Sequence, residues 1–378
     1  MSTPGIEKIV MVAHNSVIDE LEEAIASKEI GRRADTLRRV TDLFVSGCSG
    51  FSGDQIALFD DVMNLLAREI ESAARALFGQ RLAPIANAPP RIMRALALDD
   101  EIEVAGPVLT RSASLDEATL LEGARTKSQD HLLAISRRET LAEVVTDVLV
   151  ERGDQRVAQG TAENPGAKFS EFGYSTLVER SGHDPELALR VLSRRDLPRQ
   201  HLLKAFADAS ETVRRKLEAA DRGKANMLRD MVAQASDEIQ TEARKRSAEH
   251  AAARAFVQGL DELGKLTAAQ LEASATEGKF DEAAIAPSIM SGLSIGLIER
   301  LLTQDRSDPI LIVAKAIGLA WDTTKALLLL QAGHRVSSTH EINRSLAKFN
   351  KLRTETAKTA VQFYRLRERA AVPSSGLN

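Results

Sequence analysis

The 378-residue chain has one cysteine, one tryptophan and two tyrosines. A lone Cys48 excludes an intramolecular disulfide and any multi-cysteine zinc site, and it suits a reducing cytoplasm. Its setting, "VSGCSGFSG", reads as a turn with nothing beside it to activate a thiol. Aromatics reach only 4%, which disfavours sheets, because strands draw on β-branched and aromatic residues. The net charge is −4, so the chain as a whole lacks the basic excess that holds phosphates. The most apolar stretches are "PSIMSGLSIGLI" and "ILIVAKAIGLAW", the second interrupted by Lys315. Both fall short of the roughly 20 residues needed to span a bilayer and read as buried helices. The start, "MSTPGIEKIVMVAHNSVIDELEE", has neither the basic opening nor the unbroken apolar run of a signal peptide. A glycine-rich phosphate loop, Gly-x-Ser-x-Gly, His-Glu-x-x-His and Cys-x-x-Cys are all missing. The expectation is a cytoplasmic, non-enzymatic protein with no cofactor and no metal.

What is present favours helices. Apolar residues make up 43% and charged residues 28%, and alanine and leucine are strong helix formers. In "DTLRRVTDLF" (35–44), Leu37, Val40 and Phe44 share one helical face. Ser52 and Gln55 make a capping box. It opens a long amphipathic helix, "DQIALFDDVMNLLAREIESAARALFGQRLA", with Ile56, Phe59, Val62, Leu65, Leu66 and Ile70 as its apolar stripe. The acidic pairs Asp60-Asp61 and Asp99-Asp100 read as solvated faces, since adjacent helical residues diverge by about 100°.

From Arg91 the texture repeats. Asp100, Asp154 and Asp184 each precede an apolar–alanine pair by three or four residues: Val104-Ala105, Val157-Ala158 and Leu187-Ala188. An apolar residue follows (Leu115, Phe169, Leu197), and then a second apolar doublet. With weaker copies at Leu133 and Val213, the spacings are 29, 24, 30 and 26. Such a drifting period, one helix pair per unit, marks an α-solenoid. Aspartate at each start is expected to cap the first helix. In "GHDPELALRVLSRRDLPRQHL" (182–202), His183, Asp184, Asp196 and His201 could suggest a metal, but they lack a ligand spacing. Capping by Asp184 and a helix break at Leu197-Pro198 explain the pattern better. The other histidines, including His14, His131, His250 and His334, read as surface or core fillers.

The run "PPRIMRALALDDEIEVAGPVLTRSASLDEATLLEGARTKSQDHLLAISRRETLAEVVTDVLVERGD" resembles the bacterial family known as domain of unknown function 2336. So do "NPGAKFSEFGYSTLVERS", "RRDLPRQHLL" and "LLTQDRSDPILIVAKAIGLAWDTTKALLLL". The resemblance covers roughly residues 35–370. It implies a cytoplasmic bacterial protein with HEAT-like helical repeats, and it brings no catalytic residues.

The expected fold is all-α: an N-terminal helical cap (1–90), a HEAT-like solenoid of two-helix repeats (91–220), and a C-terminal helical region (221–378). In the last, "KANMLRDMVAQASDEIQTEARKRSAEHAAARAFVQGL" reads as one long helix, and Thr267 with Gln270 as a second capping box. Hairpins broken at Gly278, Gly292, Gly318 and Gly333 follow. "MSGLSIGLIERLL" and "AKAIGLAWDTTKALLLL" resemble helix-turn-helix units. Their exposed residues would include Ile295, Glu299 and Arg300, or Trp321, Asp322 and Lys325, a poor set for reading bases. Residues 279–330 hold five Lys/Arg against six Asp/Glu, whereas 335–371 hold nine against three, a net +6. The latter reads as a basic amphipathic helix with Ile342, Leu346, Phe349, Leu352, Ala360 and Phe363 as its stripe.

The expected function is a scaffold or adaptor that binds another protein, acidic if the basic residues do the work. Arg137, Arg138, Arg194, Arg195, Arg214 and Arg215 recur in successive units, and Lys348, Lys351, Arg353, Arg365 and Arg367 lie on the C-terminal helix. These are the candidate interaction surface. The alternative is nucleic-acid binding through the helix-turn-helix-like hairpins and the basic helix; self-association is left open.

Overall fold

The computed structural model describes residues 30–371 apart from 69, 221–224, 305 and 333–338; the side chains of 30, most of 213–237 and 369–371 also lie outside the described set. The described residues form 21 α-helices and one 3-10 turn. They contain no strand, only an isolated parallel bridge between Leu141 and Ala167. The chain divides into two compact units, Met1–Gly173 and Tyr174–Asn378.

In the first unit the helices are α1 (Ile30–Gly47), α2 (Gly53–Ala67), α3 (Ser72–Leu82), α4 (Pro90–Ala97), α5 (Ile102–Arg111), α6 (Glu117–Thr126), α7 (Gln129–Ser136), α8 (Glu143–Arg152) and α9 (Gln155–Glu163). Leu37, Val40 and Phe44 are buried as the spacing requires. The capping box at Ser52 and Gln55 is complete. The single long helix expected from residue 54 is instead two, α2 and α3. Ile70 turns into the core, and Arg75 Nη1 takes its carbonyl at 2.7 Å. With that break the inner face of α2 is built on Met63 and Leu66, while Leu65 faces outward.

Asp60 is not on a solvated face. It is buried and receives Arg91 N–H at 2.8 Å and Ile92 N–H at 2.7 Å, closing the start of α4. A carboxylate there meets both the orphan donors and the positive end of the helix dipole. Asp154 and Asp184 cap their helices as expected. Asp100 does not: α5 starts a residue later, Glu101 takes the cap position, and Asp100 turns outward to Lys127 at 2.6 Å.

Every helix from α1 to α7 packs on its next-but-one successor, so odd-numbered and even-numbered helices form two rows. Of the residues that recur in the sequence, Val104, Ala105, Val157 and Ala158 are fully buried in this unit, whereas Leu133 is half-buried. Burying each valine side chain contributes roughly 1.5–3 kcal/mol.

The second unit holds α11 (Pro185–Leu192), α12 (Arg199–Ala220), α13 (Ala225–Arg246), α14 (Ala248–Glu262), α15 (Ala268–Thr276), α16 (Phe280–Ser291), α17 (Ile295–Thr303), α18 (Asp308–Ala316), α19 (Trp321–Ala332), α20 (Thr339–Lys351) and α21 (Thr354–Ala371), while α10 (Glu171–Ser181) runs across the boundary. The core centres on α16, where residues 283–288 are buried all round, with Leu271, Ile298, Leu311 and Leu327 about it. Gly292 and Gly318 take left-handed φ of 61° and 78° in the turns before α17 and α19, the conformation glycine adopts without strain. Gly278 does likewise at 74°, and Gly333 lies outside the described residues.

Three sequence expectations change in this unit. The helix read through 225–260 breaks at Ser247, whose hydroxyl caps α14 by accepting from His250 N–H at 3.1 Å. The basic C-terminal helix is two, interrupted at residues 352–353, and it is packed on the body through Phe349, Ala357 and Val361. Phe363, expected on the stripe, is 63% exposed. Thr267 caps α15 through Gln270 N–H, but the return bond of a capping box is not formed.

Candidate functional site

Five polar side chains from five helices of the second unit meet in a buried knot. Pro198 ends the preceding turn and places Arg199 as the first residue of α12. The break at Ser247 swings His250 inward on α14. Asp281 comes from the first turn of α16, Glu299 from α17, and Arg244 from the last turn of α13. Glu299 is only 1% exposed and spends both oxygens on guanidiniums: Oε1 accepts from Arg199 Nη2 at 2.5 Å and Oε2 from Arg244 Nη1 at 2.7 Å. Arg199 Nη1 donates to Asp281, and Arg244 Nη2 to Thr241 Oγ1 at 2.6 Å. A β-carbon at Gly296 would stand 3.1 Å from Arg244 Nη1, so glycine makes room for that arm.

His250 Nδ1 lies 2.8 Å from Asp281 Oδ1 and 3.2 Å from Arg199 Nη1. Guanidinium nitrogens cannot accept, and Asp281 is the shorter contact, so the network assigns the Nδ1 proton to the Asp281 bond. His250, Asp281 and Glu299 offer ligand atoms within 4.8 Å of one another. The space between the two carboxylates is taken by the Arg199 guanidinium, and two arginines balance two acids. The knot therefore carries its own cation. What it can do chemically is hold: it ties the ends of the α12–α13 hairpin to α14, α16 and α17.

The expected interaction residues are not gathered in one place. Arg137 is exposed at the end of α7. Arg138 turns inward and donates to Leu109 O at 2.5 Å and Ser112 O at 2.7 Å, closing the C-terminus of α5; burial lowers its pKa from the usual arginine value. Arg194 grips Asp196 at 2.7 Å, and Arg195 is exposed. Burial works to raise the Asp196 pKa, but hydrogen bonds and the Arg194 charge win and hold it below the usual carboxylate value. Arg214 and Arg215 lie on α12 with side chains outside the described residues. Lys348 pairs with Asp308 at 2.5 Å, while Lys351, Arg353 and Arg367 are exposed. Arg365 donates to Ser291 O at 2.7 Å, closing the end of α16 as Arg138 closes α5.

The polar residues of 182–202 do not converge either. His183 is exposed, Asp184 caps Leu187 N–H at 3.1 Å, and His201 is buried with its ring 5.6 Å from that of Tyr174. His14 and His334 lie outside the described residues. The sequence placed Glu299 among exposed residues only under the helix-turn-helix alternative, as a poor base reader, and His250 among the fillers; both belong to the knot. No local motif announces it, because its members are up to 100 residues apart. The one signal was Ser247 three residues before His250, the spacing of a helix cap.

An open groove of about 800 Å³ also lies in the second unit. Ile312, Leu328 and Ile342 are among its apolar lining residues, and Arg306, Arg344 and Lys348 stand at its basic edge. Among the described residues no helix is long and apolar enough to cross a membrane.

No curated protein matches the chain, and no solved structure does. Residues 104–362 match the family DUF2336, described as an uncharacterised protein conserved in bacteria. That match takes in well over half of the sequence, the knot included, and the chain belongs to this family.

Proposed function

We propose that the protein is a non-enzymatic cytoplasmic scaffold or adaptor, a HEAT-like stack of paired helices that seats an acidic segment of another protein. The two-row packing of α1–α9 supports the stack, since repeat proteins bury each unit's apolar face on its neighbours. The observation that carries the binding reading is the groove: its mixed lining sets Ile312, Leu328 and Ile342 among polar side chains that include Arg306, Arg344 and Lys348, which suits an amphipathic segment with acidic flanks. Asp308 and Glu341 temper that charge, so the fit is to a segment with a few acids rather than to a polyanion. The experiment is cross-linked affinity capture from the native cytoplasm with the wild-type chain and with Arg344→Glu/Lys348→Glu, both surface positions. A partner retained by the first and lost by the second is the expected result. Identical captures, or a capture abolished by nuclease and by salt, would overturn it.

A further inference from the structure

Among the described residues, the even-numbered row of the first unit ends at α2, which packs on α4 along the row and on α1 across it. Away from Met63 and Leu66, α2 turns a second apolar face to solvent. Leu58 is 65% exposed and Leu65 is 42% exposed, with Val62 half-buried between them. Steps of four and three put all three on one helical face. Every side chain of α2 is described, so the stripe is seen whole. The end of a helical stack needs a polar outer face, and a contiguous apolar stripe there marks an unmet contact.

We propose that residues 16–27 of the same chain cover this stripe as one more short helix of the row. Their sequence, "SVIDELEEAIAS", runs almost directly into α1. Ser16 and Asp19 have the spacing of a helix start. Val17, Ile18, Leu21 and Ile25 share one helical face, and Asp19, Glu20, Glu22 and Glu23 lie off it. The order of the chain names this segment as the occupant. Each helix from α1 to α7 packs on its next-but-one successor, and a helix just ahead of α1 has α2 as that successor. Charge agrees. The chain neighbour α1 carries Arg32, Arg33, Arg38 and Arg39 against Asp35 and Asp42, and Asp42 is bound to Arg81. Tethering agrees too, since a short link presents the segment at about millimolar effective concentration, which a second copy or another protein must exceed. Row neighbours end together, because Arg138 after α7 closes the end of α5, so they run the same way. That direction sets Ile18 beside Leu58 and Ile25 beside Leu65. The inference is independent of what the groove binds.

Hydrogen exchange of the full chain tests it. A lone helix of this length is marginal in water, so protection of residues 17–26 by about tenfold or more reports packing. Leu58→Glu/Leu65→Glu, at two exposed positions, is expected to remove that protection while residues 60–67 keep theirs. In a Cys48→Ser chain, Ile25→Cys/Leu65→Cys should oxidise to a disulfide within one chain, and Glu23→Cys/Leu65→Cys should not. A segment that exchanges freely in the wild type, protection untouched by the Glu/Glu variant, or equal cross-linking of the two cysteine pairs would each overturn the inference. A disulfide formed between chains would overturn it as well, by giving the face to a second copy.

Discussion

Glu299→Gln is the sharpest perturbation of the knot. The side chain is 1% exposed, and its two oxygens serve two arginines whose side chains are 6% and 18% exposed. Glutamine keeps the shape. It offers one oxygen, however, and turns an amide NH2 toward the other guanidinium, so a donor faces a donor. Asp281 is then the knot's remaining carboxylate against two guanidiniums. Breaking a buried charge pair by removing one partner costs about 3–5 kcal/mol. For a unit the size of Tyr174–Asn378, each kcal/mol shifts Tm by about 2–4 °C, so the expected fall is roughly 6–20 °C. Trp321, the sole tryptophan, packs on Phe349 with ring centroids 5.7 Å apart. Its fluorescence therefore follows this unit without interference from the first. A second change, Arg244→Gln, removes the opposed donor and should recover much of the loss, a coupling of about 0.5–3 kcal/mol in a double-mutant cycle. If Glu299→Gln alone melts within about 1 kcal/mol of the wild type, the arginines are reaching water and the knot is not a buried clamp.

Two further outcomes follow from side chains that the fold turns inward. Arg138→Met should leave Leu109 O and Ser112 O unpaired at the end of α5, costing about 2–4 kcal/mol and raising amide hydrogen exchange over 102–112, whereas the exposed Arg137→Ala should stay within about 0.5 kcal/mol; equal effects would mean that Arg138 holds nothing. Burial, with hydrogen bonding at Asp196, pushes the Tyr174 phenol from 10.0 up to about 12. The folded state thus holds that proton more tightly than the unfolded one, so the contribution to stability is present below pH 10 and fades as pH rises through 10 to about 12. Phenolate absorbance should show Tyr174 ionising late, and Tyr174→Phe should remove that part of the alkaline slope; ionisation at the ordinary value would contradict the burial.

Helix content was legible because it rests on local rules. Leu37, Val40 and Phe44 declared their face, Ser52 and Gln55 their box, and Asp154 and Asp184 their caps. The breaks at 68–71, Ser247 and 352–353 were not legible, since helical spacing runs through all three and tertiary packing decides. Ile70 is an example: helical spacing alone continues straight through it, and only the core on one side and Arg75 on the other make it a turn. The same holds for charge. Arg138, Arg194 and Arg365 look from the sequence like neighbours of Arg137, Arg195 and Arg367, but the first three are spent inside and the last three face water. Arg137 with Arg138 and Arg194 with Arg195 lie in the turns after α7 and α11, and a pair of arginines there does not say which one turns in. The knot was the least legible of all, because its five members come together only once five helices have packed.

The inward arginines also explain why such short helices hold together. Helices α5 to α9 have 8 to 10 residues each, yet every helix leaves four terminal carbonyls without an intrahelical donor. In a helix this short the orphans are a large share of all its backbone groups. Here they are met from the next-but-one helix: Arg138 after α7 closes α5, Arg152 at the end of α8 donates to Ala124 O of α6 at 2.8 Å, and Asn164 after α9 donates to Ser136 O of α7 at 2.8 Å. The donor arrives only when its own helix is in place. Apolar burial and carbonyl capping therefore demand the same neighbour, and each helix depends on the one two ahead of it. That dependence makes the row cooperative although its contacts are local. It also explains why a recurring arginine in this chain is more informative about how the helices are joined than about what they bind.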